Sequence, residues 1–184
     1  QYVYFNDDVF PLQPCKPTDF FVDGKGQLGM SHHLFAFDMF KKICRNSDRA
    51  ARRALCLKPR CYFLRPQHIC APMRRSKCIE VYGKLRDELI ASLSRTRNEH
   101  NITQYLFTNY LYLQGGIINR RQSSRHFSMA VASPKKIEQY LRDPKQKLVC
   151  INDVELGDKS YQEMRQMLDS LFVELFAEKS KYEL

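Results

Sequence analysis

Short aromatic and β-branched runs alternate along this chain with longer stretches of helical spacing. Residues 2–6 read as a buried strand that stops at Asn6-Asp7-Asp8. Residues 9–29, punctuated by Pro11, Pro14, Pro17, Gly24, Gly26 and Gly29, are expected to be loop. Ser31 as a cap, with Leu34, Phe37, Phe40 and Cys44 on one face and Phe35, Met39 and Ile43 beside them, predicts a helix over 32–45. A shorter helix is predicted over 47–57. Pro59, Pro66 and Pro72 keep 58–72 extended. Helices follow over 73–93, with a break at Gly83, and over 102–114, opened by Asn101 and Gln104 and stopped by Gly115-Gly116. A strand over 127–132 leads to a helix that starts at Ser133-Pro134 and ends before Asp143-Pro144. A last strand, 147–151, precedes a helix opened by Ser160 and Glu163 as a capping box. Its apolar face carries Tyr161, Met164, Leu168, Leu171, Phe172 and Leu175. Strands alternating with helices predict an α/β fold, Rossmann-like, with a largely parallel sheet flanked by helices.

The 184 residues are 43% apolar and 27% charged, enough for one domain with a packed core. No run approaches the roughly 18–20 apolar residues of a membrane-spanning helix, so no transmembrane segment is expected in this sequence. Gln1 leads straight into strand composition, which reads as a chain that begins inside a domain, N-terminally truncated. The net charge of +10 is local. Between Lys41 and Lys77 there are twelve Lys or Arg and one acid, Asp48. Such a field attracts a polyanion or a phosphorylated sugar. Only Tyr62 and Phe63 interleave with it, and no nucleic-acid motif is present, so nucleic acid is not the expected partner. Seven cysteines, an odd number without regular spacing, argue for a reducing compartment. Cys56, Cys61, His68, Cys70 and Cys78 offer ligands for zinc but lack a Cys-x-x-Cys knuckle, and buried free thiols account for them better.

One local pattern occurs twice. The first strand ends in Asn6-Asp7-Asp8 and the last in Asn152-Asp153. Open α/β sheets bind ligands beyond the carboxyl ends of their strands. If these two strands are parallel and close, the four side chains Asp7, Asp8, Asn152 and Asp153 converge. Their oxygens then suit Mg²⁺ or Mn²⁺ holding a diphosphate. Turn formation at strand ends accounts better for either motif alone, whereas the two together, with two adjacent acids, favour a site. His68 sits in the rigid extended segment Arg65-Pro66-Gln67-His68, where an imidazole can steady a phosphate oxygen. Arg95 and Arg97 follow a predicted helix and have the guanidinium geometry that clamps phosphate. No Walker loop, G-x-S-x-G or H-E-x-x-H is present.

The segments YVYFNDDVF…KPTDFF, HICAPMRRS…SLSRTRNEHNITQYLF and LVCINDVELG…LFAEKSKYEL occur in the order of the conserved blocks of the Stealth family. The chain resembles these capsular polysaccharide phosphotransferases, which are related to the catalytic subunit of N-acetylglucosamine-1-phosphotransferase. The likeness covers the C-terminal portion, residues 1–184, of a single Stealth-type catalytic domain. Cys70, Thr96 and Asn101 depart from the family pattern, and the family's first block is not in this sequence. The resemblance implies transfer of a sugar-1-phosphate from a nucleotide-diphosphate sugar to a hydroxyl of a sugar or polysaccharide acceptor. It implies Asp7, Asp8, His68 and Arg97 as catalytic, Asn6, Arg95, Asn152 and Asp153 as substrate-binding, and Asp8 and Asp153 as ligands of Mg²⁺ or Mn²⁺. It also implies a cytoplasmic setting in a bacterium, at the membrane or free of it, or the Golgi lumen in a eukaryote. Two other readings stand beside it. One is a metal-dependent nucleotide-sugar glycosyltransferase that leaves the phosphate behind. The other is a non-catalytic basic module for polysaccharide or nucleic acid, with salt-sensitive binding.

Overall fold

A computed structural model describes residues 1–152 and 156–178. In chain order the strands are β1 (Tyr2–Tyr4), β2 (Val9–Pro11), β3 (Phe21–Val22), β4 (Lys25–Leu28), β5 (Met30–His33), β6 (Phe63–Pro66), β7 (Ala71–Met73), β8 (Ile117–Asn119), β9 (Ser124–Ser128) and β10 (Leu148–Asn152). The helices are α1 (Met39–Ala54), α2 (Arg75–Ala91), α3 (Tyr105–Leu113), α4 (Pro134–Arg142) and α5 (Asp158–Leu175). The chain divides into two compact units. Gln1–Asn6 and Lys16–Gln122 form the first; Asp7–Cys15 and Ser123–Leu184 form the second.

The first unit contains three small sheets: β1 with β7, β3-β4-β8, and β5 with β6. Asp23-Gly24 explains one of them. Both residues have positive φ, 48° and 71°, which is the backbone of a two-residue hairpin turn whose twist matches its flanking strands. The turn sets β3 antiparallel to β4 within the stretch expected to be loop. β5 falls where the helix over 32–45 was predicted to begin. Its register against β6, Met30↔Pro66 to His33↔Phe63, draws Ser31, His32 and His33 into a strand, so tertiary pairing overrides local propensity. The helix starts instead at Asp38, whose carboxylate accepts the Lys41 backbone N–H at 2.7 Å. From there α1 runs unbroken through the two helices predicted separately. It buries Ile43, Ser47, Ala50, Ala51 and Ala54, while Leu34, Phe35 and Phe37 of the supposed stripe lie exposed before it. Ala50, Ala51 and Ala54 pack with Val81 and Leu85 of α2 and Leu106 and Tyr110 of α3. The irregularity in α2 falls at Leu85 (φ −123°, ψ 16°) rather than Gly83.

The second unit has a three-stranded sheet in the order β2-β10-β9. β9 and β10 are parallel, joined through α4, while β2 runs antiparallel to β10. Phe127, Ile137, Leu141, Val149, Ile151, Met164 and Leu171 form its core, so the apolar spacing predicted for α5 is used through Met164 and Leu171. That helix begins at Asp158, ahead of the expected Ser160 cap.

The α/β class is therefore as expected. The largely parallel, Rossmann-like sheet is not what the strand pairings show: among the described strands four pairings are antiparallel and two, β4–β8 and β9–β10, are parallel. Strands of two to five residues joined by tight turns favour hairpin pairing, whereas a parallel pair needs a long crossover. No helix among the described residues is long and apolar enough to cross a membrane.

Candidate functional site

In the first unit, His68 is held at the end of β1. The antiparallel register of β1 with β7 pairs Tyr4 with Ala71, and two residues further on it brings Asn6 beside Ile69. Buried Asn6 donates its amide to the Ile69 carbonyl at 3.3 Å and meets His68 Nδ1 at 3.4 Å. Gln104 donates to Asn6 Oδ1 at 3.4 Å. A shorter contact, 2.9 Å, joins His68 Nδ1 to the Tyr105 hydroxyl. Both contacts converge on Nδ1 and so fix the orientation of the imidazole ring. Phe40 packs its ring at right angles to His68 and to Tyr105, each at 5.7 Å, which fixes both rings. His68 is half-buried and Tyr105 buried.

In the second unit, Asp8 is held against β10. Its carbonyl accepts the Ile151 N–H at 2.8 Å, extending the β2–β10 ladder by one residue. Strand alternation puts Cys150 and Asn152 on one face of β10. Both reach Asp8 Oδ2, the thiol and the amide each donating at 3.3 Å. Burial pushes the Cys150 thiol pKa well up, and its hydrogen bond to Asp8 and the carboxylate charge push it further, so this sulfur stays protonated at neutral pH. Asp7, one residue earlier, is exposed on the turn.

Asp8 and Asn152 thus meet as the sequence suggested, but by another route. The first strand pairs with β7 and not with the last. The chain turns at Asp7-Asp8, and β2 returns antiparallel along β10. Asp153 lies outside the described residues. Arg95 and Arg97 are exposed in the loop between α2 and α3. Tyr105, Gln104 and Cys150 were not singled out from the sequence. Two-residue alternation from Asn152 points to Cys150; nothing local points to Tyr105. Of the cysteines considered for zinc, Cys56 and Cys61 are exposed, Cys70 is buried and Cys78 half-buried.

Among the described residues, Asp8 and Cys150 of the second unit and His68 of the first offer metal-ligating atoms. For a hard cation such as Mg²⁺, the Asp8 carboxylate and the Asn152 amide oxygen suit the ion, and a protonated thiol does not.

Over 93% of its length, the chain is 27% identical to the capsular polysaccharide phosphotransferase of Neisseria meningitidis serogroup B. The chain resembles a capsular polysaccharide phosphotransferase. The resemblance read from the three ordered motifs is thereby borne out. The chain spans about half the length of this relative, 50%. No family model matches the chain.

Proposed function

We propose that the full-length protein transfers a sugar-1-phosphate from a nucleotide-diphosphate sugar to a sugar hydroxyl, in the synthesis of a capsular or extracellular polysaccharide. The likeness over 93% of the chain to a protein named capsular polysaccharide phosphotransferase is the observation that supports this best. A cytoplasmic setting in a bacterium goes with the same reading.

Asp7, exposed and next to the fixed Asp8, takes the proton from the acceptor hydroxyl. The resulting oxygen attacks the sugar-linked phosphorus in line. The bond from that phosphorus to the bridging oxygen breaks, and nucleoside monophosphate leaves with the electron pair. Arg97, assisted by Arg95, neutralises charge on the equatorial oxygens, and His68 steadies the transferring phosphate. Asn6 and Tyr105 position that imidazole. Asp8, with Asn152 beside it and Asp153 after it in the chain, would hold a divalent cation. Mg²⁺ or Mn²⁺ bound there supplies charge neutralisation of the diphosphate. Phosphoryl transfer needs little covalent work from the protein, so positioned charges and one base suffice.

Mass spectrometry of the products formed by the full-length protein from a panel of UDP-sugars with Mg²⁺ tests this reading. A phosphodiester-linked product with UMP as by-product is expected. A glycosidic linkage with UDP released would replace it with the glycosyltransferase reading.

A further inference from the structure

Between β5 and α1, in the first unit, the chain carries an apolar surface that the core does not take up. Phe35 and Phe37 are 64% and 82% exposed, and Leu34 and Met39 beside them are exposed as well. The segment is nonetheless built in place. Ala36 and Phe40 turn inward to pack on Cys44, Phe63 and Tyr105, and the Asp38 carboxylate caps α1. The Phe35 and Phe37 rings stack on one another, 5.5 Å between centres and 12° from parallel. Inward anchors at 36 and 40 thus hold outward aromatics at 35 and 37, and at that exposure the rings stand proud of the surface instead of lining a groove.

The ground beside these rings is cationic. Leu34 lines one small cavity together with Arg45, Arg49, Arg60 and Asp48, so the apolar loop and the basic face of α1 are contiguous. Each acid here already has a cation. Asp38 pairs with Lys41 at 2.9 Å, Asp48 with Arg52 at 2.9 Å, and Glu99 with Lys42. Arg45, Arg49 and Arg60 make no ion pair among the described residues, which leaves a positive field next to the rings. A partner must offer two things at once: an apolar interior for projecting aromatics and diffuse negative charge beside it. A bilayer with anionic headgroups has both, acyl chains below and phosphates at the level of the arginines, and it needs no shape complementary to two raised rings. A second copy of the chain fits less well, because it would bring two such arginine clusters together.

We propose that this loop inserts Phe35 and Phe37 into the surface of a membrane rich in anionic phospholipid, with Arg49 and Arg60 against its headgroups. Such an attachment is peripheral and reversible. Two rings and a short basic patch make it, and no helix among the described residues is long and apolar enough to span. It is independent of the transfer chemistry. Phe40, on the same turn, packs against the rings of His68 and Tyr105, so docking keeps that corner of the first unit beside the lipid.

Co-sedimentation of the full-length protein with two kinds of vesicle tests this: phosphatidylglycerol mixed with phosphatidylcholine, and phosphatidylcholine alone. The protein should bind the mixed vesicles better, and more weakly as salt rises. F35S/F37S should weaken that binding about tenfold or more, whereas the apolar pair F35L/F37L should retain most of it. R49Q/R60Q should weaken it about tenfold and flatten its salt dependence. All four side chains are exposed, so unfolding midpoints should match the wild type. Absence of binding to the mixed vesicles, equal binding to both kinds, or unchanged binding by F35S/F37S or by R49Q/R60Q overturns the proposal. A vesicle-free dimer that F35S/F37S abolishes, found in place of vesicle binding, also overturns it and assigns the rings to a second copy.

Discussion

Asp48 and Asp8 are both carboxylates held tightly by a neighbouring element, and the partners they keep differ in kind. Asp48 lies inside α1 at 1% exposure, with the Arg52 guanidinium one turn away on the same helix. Burial raises its pKa, the Arg52 hydrogen bond and charge opposing. Asp8 is half-buried where the chain enters β2, and the thiol and amide that reach it from β10 are neutral donors at 3.3 Å. A buried carboxylate matched to a guanidinium is committed to the fold, because removing either partner strands a charge. The thiol and the amide at Asp8 carry no charge of their own, so losing either strands none. Position in the sequence did not separate these two roles; partners did.

Removing the Asp48 carboxylate should produce the largest effect. Asp48→Ala leaves Arg52 buried without its counter-ion and is expected to lower unfolding stability by about 3–5 kcal/mol, read by chemical denaturation. If Asp8→Asn cost as much stability, the contrast between the two residues would collapse. Its expected signature is different: stability within about 1 kcal/mol of wild type, and turnover of the full-length protein down by roughly two decades or more, with His68→Ala similar. Near-normal turnover in either variant would remove that residue from the mechanism.

A smaller effect is expected from Tyr105→Phe, which takes away the hydroxyl 2.9 Å from His68 Nδ1 and leaves the ring packing. Loss of this positioning contact should lower kcat about tenfold with little change in KM, and should alter the pH–rate profile. A purely structural tyrosine would change stability and leave that profile alone.

The smallest effect concerns a third carboxylate, half-buried Glu80, which serves as the control away from the candidate site. Hydrogen bonds from Lys77 and Tyr110 bring its pKa down to about 2. Since the folded-state pKa lies below the unfolded one, its stabilising contribution is present above about pH 4.5 and fades as pH falls towards 2. The stability gap between wild type and Glu80→Gln should close over that window, and an NMR titration of Glu80 should have its midpoint near 2.

Much of this was legible in the sequence. Helices α2, α3, α4 and α5 carry spacing and stop signals strong enough to survive tertiary context, and Pro66 and Pro72 marked the extended segment that presents His68. Asn6, Asp8 and Asn152 were recognised from strand ends. The run from Leu34 to Phe37 was misleading: apolar spacing predicts burial only when a partner surface lies opposite, and here the residues precede a helix that Asp38 caps. Tyr105 was illegible for another reason. Its contact with His68 joins residues 37 apart, through a strand register and a helix start that no local pattern specifies.

The way the backbone shuttles between the two units constrains protein engineering. It passes from one to the other after Asn6, returns after Cys15 and leaves again after Gln122. A truncation at residue 122 therefore does not liberate a self-sufficient half. The C-terminal piece loses β2 and bares one edge of β10, while the N-terminal piece retains a nine-residue orphan loop, so separate expression calls for grafting 7–15 onto the C-terminal fragment or supplying it as a peptide in trans.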